Sequence, residues 1–153
     1  MSFENQLHNK VGFRSALEND YDFLYALHTA TMEEYVNKTW GEDAFQEDMF
    51  RKNFVPTQIQ IITLDGSDMG MISWEENDND IFLRVIEIFP RHQRQGFGTT
   101  IIQKIIDDAA HQRKEVRLQV LKVNPAKQLY DRLGFTVIEE TSTHYIMRTT
   151  LSS

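Results

Sequence analysis

Apolar residues in the first third of the chain predict one strand and two helices. Residues 12–17 have the composition of an edge strand. Asn19 or Asp20 is suited to cap a helix from about Tyr21 toward Tyr35, because a short polar side chain accepts hydrogen bonds from the first helical N–H groups. One face of this helix would comprise Phe23, Leu24, Leu27 and Thr31.

A second helix is predicted after the segment TWGED, residues 39–43. Glu42 or Asp43 would stand at its N-terminus, where the helix dipole stabilises a negative charge. Pro56 closes the segment, since proline does not continue a helix. The apolar stripe of this helix would comprise Phe45, Met49 and Phe50 and run up to Phe54.

The rest of the pattern alternates between the period of a strand and the period of a helix. Strands are predicted at residues 58–64, 69–76, 81–89, 116–120, 135–140 and 143–149, and helices at residues 98–111 and 125–133. This order predicts an α/β fold with a mixed sheet. The length of 153 residues suits a single domain, 1–153, with a core over about 12–150 and loose ends at residues 1–10, Ser152 and Ser153.

Composition argues against several classes of function. The chain has no cysteine and therefore no disulfide or thiolate zinc site. Its five histidines, His8, His28, His92, His111 and His144, lack the spacing of metal ligands, so we expect no metal. No apolar run reaches the roughly 18 residues of a membrane span, and we expect a cytoplasmic protein with no membrane partner. The formal charge of −7 opposes nucleic-acid binding.

The segment RHQRQGFGTT, residues 91–100, lies between a predicted strand and a predicted helix. The first N–H groups of a helix have no partner within it, and the helix dipole adds positive potential there. Gly96 and Gly98 allow a tight turn and close approach of a ligand to the backbone, while Arg91 and Arg94 add positive charge. The segment therefore predicts an anion site suited to a pyrophosphate.

Glycine spacing separates three families that bind phosphates through such a turn. A dinucleotide-binding fold would need glycine at position 101, which is isoleucine, and an acid about 20 residues later, where Leu118 and Gln119 stand. A nucleotide-triphosphate loop would need Gly-Lys-Ser or Gly-Lys-Thr, but Gly98 precedes Thr99. The remaining pattern, Gln/Arg-x-x-Gly-x-Gly/Ala, is met by Gln93, Gly96 and Gly98.

A second stretch, LQVLKVNPAKQLYDRLGF at residues 118–135, follows this turn. Together the two stretches resemble the GNAT superfamily of acyl-CoA-dependent N-acyltransferases, and the resemblance extends over about residues 12–150. It implies a GNAT-like α/β fold, with a mixed, mostly antiparallel sheet of six to seven strands flanked by about four helices. It also implies transfer of an acetyl group from acetyl-CoA to a primary amine by direct attack, which agrees with the absence of a cysteine nucleophile.

The resemblance further implies roles for individual residues. Tyr130 would donate a proton or a hydrogen bond to the departing thiolate. The acceptor would contact Glu33, Tyr35 and Trp40 in the first two helices, with His144 on the last strand pair as a further candidate. Acetyl-CoA would be bound by Ile88, Phe89, Arg91, Gln93, Arg94, Gln95, Gly96, Phe97, Gly98, Thr99, Asn124 and Lys127.

The same residues also have structural interpretations. Asn124 followed by Pro125 is typical of a helix start, and Tyr130 has the spacing of a core residue. Tyr35 and Trp40 could equally pack two helices together. Residue chemistry alone leaves these alternatives open.

Glu87 is the leading candidate for the general base, because it interrupts an otherwise apolar strand directly before the turn. A carboxylate in that position must face a wet cleft or find a partner, for which the sequence offers Arg84, Arg117 or His144. Glu33 and Glu34 are alternative bases. The base and ion-pair interpretations of Glu87 both stay open.

The acceptor is expected to be a small amine, but an amino acid, a polyamine, an aminoglycoside-like compound and a protein terminus are all compatible with the sequence. A noncatalytic acyl-CoA-binding or sensing domain of the same fold is the main alternative function. A protein-interaction domain without CoA would require both stretches to be coincidental. A homodimer is one open arrangement of the chain.

Overall fold

The computed structural model describes residues 9–151 of the chain. Residues 1–8, 152 and 153, which include His8 and most of the predicted loose ends, lie outside the described residues. Lys10, also predicted to be loose, accepts a hydrogen bond from the backbone N–H of Asp65 at 2.9 Å. The strands are β1 (Val11–Ser15), β2 (Gln60–Leu64), β3 (Ser67–Glu76), β4 (Asp80–Ile88), β5 (Glu115–Leu121), β6 (Phe135–Glu140) and β7 (His144–Thr149). The α-helices are α1 (Tyr21–Trp40), α2 (Glu47–Asn53), α3 (Phe97–His111) and α4 (Ala126–Arg132).

The described strands form one mixed sheet in the order β1-β2-β3-β4-β5-β7-β6. β4 and β5 are parallel, and their paired positions run from Asp80 opposite Glu115 to Leu83 opposite Leu118. The pairs β1–β2, β2–β3, β5–β7 and β6–β7 are antiparallel. These observations confirm the predicted fold class, and β1 is the edge strand that its sequence predicted.

The chain divides into two compact units. The first comprises Met1–Ser73 and Val85–Gly98, and the second comprises Trp74–Arg84 and Thr99–Ser153. The first unit has a buried core of Ala16, Leu24, Leu27, Ile61 and Met71, against which Phe23, Phe50, Phe54, Ile59, Val85 and Phe89 pack. Buried residues of the second unit include Ile102, Val116, Leu118, Val120, Phe135 and Met147. The single domain expected from chain length stays a prediction.

At the N-terminus of α1, the predicted capping hydrogen bond is not formed. Asp20 occupies the N-cap position, but its side chain makes no capping hydrogen bond to the helix. The carboxylate instead accepts hydrogen bonds from the guanidinium of Arg14 at 2.9 and 3.0 Å and from the backbone N–H of Leu17 at 2.8 Å. The hydrogen bonds from Arg14 lower the pKa of Asp20, and the ion pair ties α1 to the edge strand.

The prediction that the second helix begins at Glu42 or Asp43 is wrong. Asp43 has a φ of 65°, a left-handed conformation that cannot continue into a helix, and α2 begins only at Glu47. Negative charge in the first turn is supplied by Glu47 and Asp48. Met49, predicted to lie on the apolar stripe, is 62% exposed.

Gly70 of β3 allows an unusually close approach to β4. A Cβ atom added at this position would overlap the backbone carbonyl oxygen of Glu87 and crowd the Cα of Ile88 at 3.1 Å. The backbone N–H of Phe89 also donates to the carbonyl of Met69 at 3.0 Å. The absence of a side chain at position 70 therefore fixes the backbone at the end of β4, where Glu87 lies.

We predict that Gly70→Ala lowers the free energy of unfolding by roughly 1–3 kcal/mol, the usual effect of overpacking, because backbone atoms cannot rotate out of the way. Gly12→Ala is the matched control, since its Cβ would meet only the rotatable Thr63 hydroxyl at 3.0 Å. Chemical denaturation of the two variants and the parent measures both effects. Equal stability of Gly70→Ala and the parent would contradict the close approach.

Candidate active site

The turn between β4 and α3 has the conformation of an anion-binding loop. Arg94 and Gly96 both have positive φ, 64° and 85°, with Gln95 between them outside that region. Such alternation turns successive backbone N–H groups toward one side, as in the concave sites that bind phosphates. Phe97, only 1% exposed, anchors the first residue of α3 in the interior. The outward-facing start of α3 is thereby held in place, while Gly96 and Thr99 stay exposed.

Two glutamine side chains hold this turn together. Gln93 Nε2 donates to the carbonyl of Ile88 at 2.8 Å, and Gln95 Nε2 donates to the carbonyl of Arg91 at 3.1 Å. Their amides thus stabilise the turn, which is a role that the sequence pattern did not assign to them.

Arginines give the turn positive charge in a chain of formal charge −7. The Arg91 guanidinium lies over the ring of Phe89 at 5.2 Å, and its Nε donates to His92 Nε2 at 3.2 Å. Burial, followed by the charge of Arg91, lowers the pKa of His92 and so favours the neutral imidazole, the form that can accept that bond. The Arg94 side chain is exposed and forms no ion pair with any residue between 9 and 151.

Glu87, one residue before the end of β4, is 5% exposed. Its Oε2 lies 2.9 Å from Nδ1 of His28, and its Oε1 lies 2.7 Å from Oγ1 of Thr31. Both partners are on α1. The structure therefore corrects the predicted ion-pair partners, because Arg84 pairs with Glu75 and Arg117 lies 4.0 Å from Glu115.

The Thr31 hydroxyl can accompany either charge state of Glu87. It can donate its single hydrogen to the carboxylate, or accept from a protonated carboxyl while donating to the Leu27 carbonyl at 3.0 Å. A buried carboxyl with such an adaptable partner can hold or release a proton without leaving a polar atom unsatisfied. This property is expected of an acid–base group.

The His28 ring is the other member of this cluster and was not among the predicted site residues. Its side chain is 26% exposed, compared with 4% for that of Glu87. The ring stacks on Phe50 at 5.1 Å between centroids and lies tilted against Phe45 at 5.3 Å. Its only advance signal was its four-residue helical spacing from Leu24, within the predicted α1.

The packing of α1 against α2 is aromatic and includes Phe50 and Phe54 of the predicted apolar stripe. Tyr21 contacts Phe54 edge-on at 5.2 Å, and Tyr25 contacts Phe50 edge-on at 5.5 Å. Such pairs contribute about 0.5–1.5 kcal/mol each beyond their buried area. Trp40, the last residue of α1, is 56% exposed.

Helix geometry separates the predicted acceptor residues. At 3.6 residues per turn, Tyr35 lies on the same side of α1 as His28, whereas Glu33 and Trp40 lie roughly 120–140° away around the helix axis. Glu33 is exposed and Tyr35 is partly buried. Of the three predicted acceptor residues of α1, only Tyr35 thus lies on the side of the helix that carries His28, the partner of Glu87.

Tyr130 is the predicted acid of the second unit. Tyr130 is 8% exposed, and its ring packs edge-on against Phe135 at 5.6 Å between ring centroids. Within residues 9–151 its hydroxyl has no hydrogen-bond partner, yet no buried side-chain polar atom there is left unpaired. The hydroxyl must therefore reach the surface while the ring stays buried.

The other predicted residues of the second unit have identifiable structural contacts. Asn124 Oδ1 accepts the backbone N–H of Ala126 at 2.9 Å, but the N-cap position of α4 is occupied by Pro125, one residue later than predicted. Lys127 forms an ion pair with Asp131 at 2.9 Å, and its ammonium lies 5.2 Å from the centre of the Tyr145 ring. Nδ1 of His144 lies 2.8 Å from the Thr143 hydroxyl.

Among residues 9–151, no helix is long and apolar enough to cross a membrane. The same part of the chain contains no group of three or more histidine, aspartate and glutamate side chains arranged to hold a metal ion.

Sequence comparison assigns the fold and its glycine turn to a known family. Residues 21–135 match the model of the acetyltransferase (GNAT) family, so the chain belongs to that family. No curated protein sequence is significantly similar to it.

Solved structures share the fold at low sequence identity. The PaiA N-acetyltransferase from Thermoplasma acidophilum, in complex with coenzyme A, has a TM-score of 0.73 at 15% identity, covering 92% of this chain and 98% of its own. An acetyltransferase from Thermus thermophilus has a TM-score of 0.71 at 17% identity, covering 93% and 97%. The ribosomal-protein-S18-alanine N-acetyltransferase from Escherichia coli has a TM-score of 0.64 at 20% identity, covering 94% and 95%.

We predict that Tyr130 ionises after the other tyrosines when the pH is raised. Burial raises the pKa of Tyr130 to about 12, compared with about 10 for a free tyrosine. Its stabilising contribution is complete below about pH 10 and is lost as the pH rises toward 12, because the unfolded chain ionises first. NMR of 13C-labelled tyrosine rings, assigned with Tyr130→Phe, measures this order. Ionisation together with the other tyrosines would contradict the burial argument.

Proposed function

We propose that the chain catalyses acetyl transfer from acetyl-CoA to a primary amine of an acceptor, expected to be small, by direct attack on the thioester. The observation that carries this proposal is the turn at residues 91–98, whose conformation and charge suit a pyrophosphate, in a chain of the GNAT acetyltransferase family. The family match supports acetyl transfer as such. The amine, the direct attack and the individual residue roles are our proposals.

Acetyl-CoA would be held mainly through its pyrophosphate. The backbone of the exposed Gly96 and the partly buried Gly98, the start of α3 and the charge of Arg94 would neutralise the phosphates. Ile88, Phe89, Arg91, Gln93, Gln95, Phe97 and Thr99 would shape or line the same turn, and Asn124 and Lys127 would contribute further contacts, as the family resemblance implies. Asn124 can serve here while accepting the Ala126 N–H, because an amide oxygen has two lone pairs.

The reaction needs a base because an alkylamine with a pKa near ~10 is mostly protonated at neutral pH. Glu87 would provide the carboxylate on which this base depends. It is buried, and its hydrogen-bond partner Thr31 is suited to either charge state of the carboxyl group. The free amine then attacks the thioester carbonyl, and a C–N bond forms. When the C–S bond breaks, Tyr130 would donate a proton or a hydrogen bond to the thiolate.

Acceptor binding is proposed at α1 on the side that carries His28 and Tyr35. Glu33, Trp40 and His144 stay further candidates for contacts with the acceptor. Four amines represent the compatible classes of acceptor: glutamate, spermidine, kanamycin and a hexapeptide that begins with alanine. Thiol release from acetyl-CoA with each of them separates an enzyme from a noncatalytic acyl-CoA sensor, because only the enzyme releases CoA in proportion to the added amine.

We predict that acetyl-CoA stabilises the protein by about 2.7 kcal/mol at 100 times its dissociation constant. Thermal unfolding with and without acetyl-CoA measures the stabilisation, and adenosine serves as a ligand control that lacks the pyrophosphate. Gly98→Val should bind acetyl-CoA more weakly with a smaller effect on folding, since its side chain would intrude on the phosphates. The proposal fails if millimolar acetyl-CoA leaves the unfolding temperature of the parent unchanged.

We predict that Tyr130→Phe lowers kcat by roughly 10- to 1,000-fold and leaves the acetyl-CoA affinity nearly unchanged. The hydroxyl has no hydrogen-bond partner within the described residues, so its removal should preserve folding. Single-turnover acetylation and calorimetry of acetyl-CoA binding separate the two effects. A variant that acetylates at the parental rate would show that Tyr130 is only a packing residue.

A further inference from the structure

We infer that His28 is the group that takes the proton from the attacking amine, and that Glu87 acts through it as a positioning residue. This inference rests on the proposed function and names the atom that performs the base step. It follows from four observations within the first unit: the Glu87–His28 contact, the difference in exposure between the two side chains, the unpaired second nitrogen of His28, and the aromatic contacts of its ring.

The contact with Glu87 fixes the tautomer of His28. When Glu87 is ionised it can only accept a hydrogen bond, so Nδ1 of His28, 2.9 Å from Oε2, must carry the hydrogen. In the neutral imidazole Nε2 then has a free lone pair. The carboxylate therefore orients the ring and leaves its second nitrogen as a proton acceptor, as in other carboxylate–histidine pairs.

Exposure separates the roles of the two residues. The Glu87 side chain is 4% exposed and both of its oxygens contact protein groups, so an incoming amine would first have to displace one of them. The His28 side chain is 26% exposed. Among residues 9–151 no group pairs with Nε2 of His28, and no buried side-chain polar atom there is unpaired, so Nε2 reaches the surface.

The remaining neighbours of His28 keep the ring in place without competing for its proton. Phe50 from α2 and Phe45 from the segment before it contact the ring. Thr31 from α1 contacts Glu87, and Glu87 from β4 is the charged group bound to the imidazole. The ring is thus confined between neutral aromatic groups and one carboxylate, which stabilises the imidazolium formed in the reaction.

The proton balance is simple. An ammonium R–NH3+ transfers one proton to Nε2 of His28 and becomes R–NH2, and the imidazolium–carboxylate pair carries no net charge. The nitrogen lone pair forms the C–N bond, and the C–S bonding pair leaves with sulfur. The adduct nitrogen then loses its second proton, which balances the proton that the departing thiolate takes up, so the products are an amide and the CoA thiol. Nε2 releases its proton to water, which restores the pair for the next turnover.

NMR of 15N-labelled histidine tests the tautomer without any acceptor. We expect the neutral form of His28 to carry its hydrogen on Nδ1. In Glu87→Gln the neutral amide can either accept from or donate to Nδ1, so the preference of the hydrogen for Nδ1 should weaken. A parent protein with the hydrogen on Nε2 would overturn the inference.

Kinetics of His28→Asn test the proton transfer with glutamate, spermidine, kanamycin and the alanine hexapeptide as acceptors. Asparagine can place an N–H near the position of Nδ1 but has no atom at Nε2. We expect kcat to fall by roughly 100- to 10,000-fold, with the acetyl-CoA dissociation constant unchanged. His111→Asn, the same substitution at an exposed position near the end of α3, should leave kcat unchanged.

The pH dependence distinguishes a base from a structural residue. The defect of His28→Asn should shrink as the pH rises toward ~10, where an alkylamine loses its proton to the solvent. A defect that is equal at every pH, or a variant as active as the parent, would overturn the inference while leaving the proposed function intact. If the parent acetylates none of the four amines, the proposed function fails for those classes, and the NMR measurement still decides the tautomer.

Discussion

The buried carboxylate of Glu87 is the constraint on which the rest of the first unit depends. A charge at this depth is unfavourable unless it is paired, and the hydrogen bonds from His28 and Thr31 provide that pairing from a single helix. The contact therefore fixes the rotation of α1 about its axis relative to β4. Gly70 completes the arrangement, because any side chain there would displace the backbone of Glu87. One interaction thus positions the helix, the strand end and the candidate base.

The fold could be predicted from the sequence where periodicity is strong. The buried positions Val116, Leu118 and Val120 alternate as a strand requires, and β6 was predicted residue for residue. The start of α2 could not, because the left-handed turn at Asp43 depends on the surrounding loop and not on local propensity. A helix of seven residues also has too few positions for its apolar stripe to be distinctive.

Some features of the candidate site could likewise be predicted from the sequence, and others could not. The turn at residues 91–98 was predictable because its glycine spacing reflects backbone conformation, although the left-handed Arg94 gave no signal. Glu87 was noticeable as one acid in an apolar strand. Its partner was not, since the pairing joins residues 59 positions apart and depends on which face of α1 meets β4. The sequence offered Arg84, Arg117 or His144 as partners, whereas His28 and Thr31 make the contacts.

Rapid-quench analysis of a single turnover tests the central claim most directly. The protein is mixed with acetyl-labelled acetyl-CoA and an amine that supports thiol release, and the label is followed in the amine, the CoA thioester and the protein. Direct transfer predicts that label enters the amine at the rate at which it leaves acetyl-CoA, with no acetylated protein at any time. Label that passes through the protein, or thiol release without an acetylated amine, would contradict the account.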